Sequence, residues 1–392
     1  MAIVDRRGVV ARRAEHVAWS GIRKMFERAL ADPSLINLSV GEPDFPTPPH
    51  IVAAAKRALD EGYTRYSPGL GYPTLREAIA AKMARDNGLT VDPAREVIVT
   101  AGAMEGILLA LLATIDAGDE VLIPDPGYTN YEGQVLLAAG VPVRVPAAEA
   151  RGFSMSPDDV RAALTPRTRA LMLNTPANPT GGTIRPGDLD GLAAVARDRG
   201  LVVIADEVYE AMVYDGARHL TIAALPGMRE RTATVMSCSK TYAMTGWRVG
   251  YVVAGAEITA QMQKLQENVV SCVNSAAQMG AQAALSGPQD CVREMVADYD
   301  RRRKFLVSAL NEISGIHCAM PGGAFYAFPN IQALGRPAEE FAHRLVDKGG
   351  VVTVPGTAFG PHGEGHLRLC YAVSMQQLER SVEGFRRAIR AM

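Results

Sequence analysis

Lysine is scarce in this 392-residue chain: only seven of its 41 basic residues are lysines, at positions 24, 56, 82, 240, 264, 304 and 348. A reaction that needs a primary amine as nucleophile therefore has few candidates. Net charge is equally small, −1 at neutral pH, so no basic face suggests a nucleic-acid or anionic-membrane partner. No apolar run approaches the length that spans a bilayer, and the first 16 residues, MAIVDRRGVVARRAEH, lack the apolar core of a secretory leader. The five cysteines (238, 272, 291, 318 and 370) are scattered and form no CxxC, which disfavours a disulfide framework or a zinc site and points to a reducing cytoplasm. The seven histidines show no metal-ligand spacing either. Internal repeats, low-complexity tracts and charged tails are missing.

What remains is ordinary globular material, 48% hydrophobic and 21% charged. Residues 50–61 and 73–86 carry helical apolar spacing. From residue 96 the chain alternates short apolar runs (EVIVT, EVLIP, VPVRVP, ALMLN, LVVIAD, ATVMS, VGYVVAG) with helical stretches such as AMEGILLALLATI and 187–199. Continuous apolar runs of that length suit strands buried on both faces, with helices as crossovers. The fold class expected is α/β: a mainly parallel, seven-stranded-type sheet between helices, with a smaller α+β domain. The expected division is an N-terminal arm (1–44) with no sheet partner of its own, packing on the small domain; a large domain (45–285); and the small C-terminal domain (286–392).

In open α/β sheets ligands bind beyond the carboxyl ends of the strands. After EVIVT, the small residues Gly102, Ala103 and Met104 open a helix whose free N–H groups suit a phosphate, or simply make a turn. After ALMLN comes NTPANPTGG, a loop fixed by its prolines and glycines that either offers Asn178 to a ligand oxygen or is simply a rigid turn. After LVVIA comes Asp206, followed by Tyr209. A carboxylate ending a buried strand needs either a partner such as a cationic ligand nitrogen or a helix to cap. After ATVM come Ser237, Ser239 and Lys240, with Arg248 eight residues beyond the lysine. A lysine among small residues at a strand end is either salt-bridged or a confined amine with a lowered pKa, fit for nucleophilic work. Amine, carboxylate, amide and phosphate cradle at neighbouring strand ends together match the needs of pyridoxal 5′-phosphate (PLP).

The motifs SVGEPDF (39–45), RYSPGLGYPTLREAIA (65–80), PDPGY (124–128), NTPANPTGG (174–182), ADEVYE (205–210), SCSKTYAMTGWRVGY (237–251), PGGAFY (321–326), VPGTAFG (354–360) and LRLCYA (367–372) span nearly the whole chain. In these the sequence resembles the class I/II PLP-dependent aminotransferases of fold type I, and among them the archaeal aromatic and prokaryotic aspartate enzymes. The resemblance implies that Lys240 carries the cofactor as a Schiff base and serves as acid and base. It implies that Asp206 pairs with the pyridine nitrogen, that Tyr209 and Asn178 bond the 3′-oxygen, and that Tyr128 stacks on the ring. Gly102, Ala103, Met104, Ser237, Ser239 and Arg248 fall to the phosphate. Arg368, aided by the Gly41 backbone and Asn178, falls to the substrate carboxylate. Tyr66 would reach the phosphate of a neighbouring subunit, which makes the protein a homodimer with shared sites. The reaction implied moves the amino group of an L-amino acid to a 2-oxo acid by a ping-pong route.

Some related aspartate enzymes carry a lysine where this chain has Met104, and others a polar residue where it has Ile22. An apolar, aromatic or broad donor range is thus expected, with aspartate reachable through Arg23 or another mobile arginine. Cys238 is expected to be buried packing. A PLP-dependent β-lyase (C–S lyase) would use the same lysine and aspartate. A PLP-binding regulator would need a DNA-binding domain, and only about 40 residues precede SVGEPDF.

Overall fold

The computed structural model describes residues 9–392, so the first eight residues of the expected arm lie outside it. Among the described residues twelve strands occur in chain order: β1 (Ile36–Asn37), β2 (Val97–Thr100), β3 (Glu120–Asp125), β4 (Val141–Pro146), β5 (Thr168–Asn174), β6 (Val202–Asp206), β7 (Thr232–Ser237), β8 (Gly250–Val253), β9 (Tyr326–Ala327), β10 (Val351–Val352), β11 (Val354–Pro355) and β12 (Leu367–Cys370). Seven of them form one sheet in the order β2-β8-β7-β6-β5-β3-β4, in which only β8 runs against its neighbours. The carboxyl ends of β2, β3, β5, β6 and β7 therefore share one edge.

The continuous apolar runs are explained by burial on both faces. In β5, Ala170 and Met172 turn toward a layer containing Ile107 and Leu111 of the helix Ala103–Thr114. Leu171 and Leu173 turn the other way, toward Leu189, Leu192 and Val195 of the helix Pro186–Arg199. With a side-chain period of two, neither face can be polar.

Beyond the sheet, the helix Asp290–Asn311 leads to a three-stranded antiparallel sheet, β11-β12-β9. The last helix, Met375–Arg390, begins with a capping box between Ser374 and Gln377. One expectation needs correction. The segment before residue 45 does have a sheet partner: β1 pairs in parallel with β10, Ile36 opposite Val351. Two residues are too short a run to show a strand period, so only the distant pairing reveals it.

Candidate active site

The shared edge of the sheet opens into a cavity of about 270 Å³ whose walls include Gly41, Tyr128, Asp206, Lys240, Arg248 and Arg368. Ala103, Met104, Asn178, Tyr209, Ser237 and Ser239 also line it. Residues from position 41 to position 368 thus meet in one place, because each follows a strand end or lies in a segment packed on that edge.

Lys240 sits in the short helical turn Cys238–Thr241 that follows β7, with Ser237 as its N-cap. Its Nζ donates to the Gly41 carbonyl at 2.7 Å. Burial pushes the amine down to about 8, so a minor fraction of it is neutral near physiological pH, far more than for an ordinary lysine. Asp206 ends β6 and is buried; burial raises its carboxyl to about 6, against a hydrogen bond from Tyr131 that lowers it. Tyr131 donates its hydroxyl to Asp206 Oδ2 at 2.6 Å, and the Val208 N–H approaches Oδ1 at 3.3 Å. Among the described residues no arginine, lysine or histidine makes an ion pair with this carboxylate. A buried carboxylate without a cation is costly, and it fits a ligand that brings a protonated nitrogen.

In the same cavity wall, the helix Ala103–Thr114 starts at Gly102 (φ +82°) with no capping side chain, so its first N–H groups remain available to an anion. A side chain at Gly102 would run into the Arg248 guanidinium, and one at Gly250 would meet the Gly102–Ala103 backbone. The two glycines thus let helix start, strand β8 and arginine close together. Arg248 is itself left-handed (φ +53°) and donates to Thr245 O at 2.8 Å. Ser237 and Ser239 hydroxyls lie 2.9 Å apart beside it.

Arg368 is almost fully buried in β12. It donates to Asn178 Oδ1 at 3.0 Å and to the Ser39 carbonyl, and its guanidinium lies 4.8 Å from the Tyr326 ring centroid and 5.0 Å from that of Phe359. Tyr209 is buried, its hydroxyl 2.8 Å from that of Tyr326. Tyr66 is the one expected residue that lies away from the cavity; it is 89% exposed. Gly102 stands just behind the lining rather than in it. Cys238 is buried with its thiol pushed up to about 12, consistent with packing.

Sequence reasoning missed Tyr131 and Tyr326. Tyr131 lies in the first turn of the helix Asn130–Leu137, three residues after Tyr128, and the two rings meet edge to face with centroids 5.5 Å apart. Tyr326 stands in GGAFY, where nothing local separates a functional tyrosine from a core one.

The sequence matches the family model for aminotransferase class I and II over residues 33–385. The chain belongs to that family. It is 43% identical to an aspartate aminotransferase of Pyrococcus abyssi over 373 residues, 95% of this chain and 96% of the relative. It is 41% identical to aromatic-amino-acid aminotransferase 2 of Thermococcus litoralis, covering 96% of this chain and 97% of that one. The crystal structure of the aromatic aminotransferase from Pyrococcus horikoshii superposes with a TM-score of 0.90 at 42% identity, over 94% of this chain and 99% of the other. The aminotransferase is therefore a fold-type-I enzyme that catalyses amino-group transfer, and its family works with PLP. No helix among the described residues is long and apolar enough to cross a membrane.

Proposed function

We propose that the cavity holds PLP on Lys240 and transfers the amino group of an apolar, aromatic or broad range of L-amino acids to a 2-oxo acid. The observation that carries the assignment is the pairing, in one cavity, of a buried amine lowered to about 8 with a buried carboxylate that has no cation partner among the described residues. When bound, the cofactor supplies a carbonyl carbon for the amino group and a conjugated ring that takes up the electron pair left when the substrate Cα–H bond breaks.

This chain's residues supply the rest. Lys240 Nζ takes the proton from substrate Cα and holds it for return. Asp206 keeps a proton on the ring nitrogen, so that the ring stays electron-poor, and Tyr131 holds that carboxylate in place. Asn178 and Tyr209 offer hydrogen bonds to the ring oxygen, and Tyr128 an aromatic face. The open N-terminus at Gly102, Ala103 and Met104, with Ser237, Ser239 and Arg248, takes the phosphate. Arg368 receives the α-carboxylate as a bidentate partner, beside Asn178 and the Gly41 backbone. The second half-reaction runs the same groups in reverse with another oxo acid.

On this reading the substrate side chain meets Ile22, Met104 and Ile107 of the lining, while the lining's cations, Lys240, Arg248 and Arg368, serve the cofactor and the α-carboxylate. Arg23 is exposed, paired with Glu27 at 2.9 Å and stacked on Trp19. Relatives named for aspartate and for aromatic amino acids are both similar to this chain, in keeping with a broad donor range. The reading extends to a cytoplasmic homodimer in which exposed Tyr66 completes the partner's phosphate site. It treats residues 1–44 as an arm, 45–285 as the cofactor-holding unit and 286–392 as the unit that brings Arg368 to the cleft.

The test is a panel of amino donors against 2-oxoglutarate, pyruvate and oxaloacetate, with the visible absorbance of the loaded protein recorded for wild type and Lys240→Ala. Loss of the band and of turnover in Lys240→Ala is expected; a band that survives it, or aspartate turnover far above that of phenylalanine, leucine and alanine, contradicts the assignment.

A further inference from the structure

Asp125 ends β3 and is fully buried, yet lies outside the cavity lining. Among the described residues its carboxylate accepts hydrogen bonds from one residue alone. His362 Nδ1 lies 2.9 Å from Oδ2, and the His362 backbone N–H donates to Oδ1 at 3.2 Å. A carboxylate only accepts, so the imidazole presents its Nδ1–H. The two residues are 237 apart in sequence. His362 belongs to the loop that leaves β11 after Pro355 and returns at Leu367, and Arg368 pairs with Val354 across those strands.

The loop is fastened at a second point, where Gly127 N–H donates to Phe359 O at 2.9 Å. Between the two fastenings lies Gly360 (φ +124°), where a Cβ would meet Asp125 Oδ1 and the Arg144 guanidinium. The backbone therefore lies directly on the buried carboxylate. The side chain held by this arrangement is Phe359, which is buried and packs its ring against the Arg368 guanidinium. The far side of the same fastening is the turn that carries Tyr128.

We propose that His362 is a positioning residue for substrate carboxylate binding: by clamping the 356–366 loop onto Asp125 it holds Phe359 against Arg368 and so fixes the fork that receives the α-carboxylate. This rests on the assignment of Arg368 to that carboxylate. Every amino donor and every oxo-acid acceptor presents the same group, so the clamp acts on all of them alike.

The experiment measures kcat and KM of the holoenzyme for one donor and one oxo acid in wild type, His362→Ala, His362→Asn, Asp125→Asn and Arg368→Lys. His362→Ala is expected to raise both KM values together by about tenfold, the effect of losing one charge-assisted hydrogen bond, with kcat within about twofold. His362→Asn keeps an N–H donor near the Nδ1 position and is expected to restore KM to within about twofold. KM unchanged in His362→Ala, a fall in kcat alone, or His362→Asn no better than alanine overturns the proposal. If the alanine variant does not fold, Asp125→Asn decides: a raised KM supports the clamp and an unchanged one overturns it. Arg368→Lys separates the two levels. If it leaves KM unchanged, the carboxylate assignment has failed; if it raises KM while His362→Ala does not, only the clamp has failed.

Discussion

Tyr131 and Asp206 form a 2.6 Å hydrogen bond between two buried side chains 75 residues apart. The tyrosine hydroxyl is held well above its ordinary range by burial and by the carboxylate itself, so it stays a donor at any working pH. Its bond opposes the upward push of burial on Asp206. The position of that balance, about 6, sets the pH below which the cofactor-free site stops presenting a carboxylate.

Cofactor affinity of the apo-protein is expected to fall as pH drops through about 6. In Tyr131→Phe the fall moves upward by about one to two pH units, since a hydrogen bond to a charged group stabilises it by roughly 1.5–3 kcal/mol and one unit is about 1.36 kcal/mol. Equilibrium titration with PLP across pH 5–8 (roughly the span over which a group near 6 changes state) measures both curves; coincident curves would show that the tyrosine does not tune the carboxylate.

Asp206 also predicts an opposition between stability and function. Its folded-state value lies above the ordinary 3.8, so the proton it binds contributes stability that is complete below about pH 4 and lost as pH rises through about 6. At pH 7 the cofactor-free fold carries an ionised, unpaired carboxylate at a cost of order 3 kcal/mol. Asp206→Asn should therefore melt higher than wild type without PLP at pH 7, with the gap closing toward pH 4, while transamination is lost. Calorimetry of the apo forms would decide; an asparagine variant less stable at pH 7 refutes the argument.

Attachment of PLP should follow the neutral fraction of Lys240. With the amine at about 8, the rate of spectral change on adding PLP to apo-protein rises roughly tenfold per pH unit below that value and levels above it. A flat profile between pH 6 and 9 (about two units below and one above that value) would mean that the amine is not the group being titrated.

Met104 lines the cavity beside the start of its helix, and its carbonyl is held by Gln134 at 2.7 Å. Met104→Lys places a cation at the side-chain end without disturbing that backbone bond. The ratio of kcat/KM for aspartate over phenylalanine is expected to rise by about tenfold or more, the effect of one new charge pair in a partly desolvated site. An unchanged ratio would mean that side chains are read elsewhere in the cleft.

The sheet and the strand-end groups were legible because their signals are local. Val202–Asp206 is apolar up to its final carboxylate, and Lys240 stands among small residues just after another such run. The same reasoning failed where the signal lies in a distant partner. Ile36–Asn37 becomes a strand only against Val351–Val352. Tyr326 joins the site through partners distant in sequence, its hydroxyl meeting that of Tyr209, 117 residues away, and its ring the Arg368 guanidinium. His362 and Asp125 are each unremarkable in sequence, one in a glycine-rich loop and the other in a PDPGY turn that also reads as a simple bend.

The β1–β10 pairing has a consequence for synthesis on the ribosome. Leu38 donates to the Val352 carbonyl at 2.9 Å and accepts from the Cys370 N–H at 2.8 Å, three residues before Gly41. The segment that delivers Gly41 to Lys240 is made about 300 residues before its strand partners at Val352 and Cys370. A nascent chain stalled before residue 351 leaves this segment without its partners, so the cleft is completed only after Cys370 has been made.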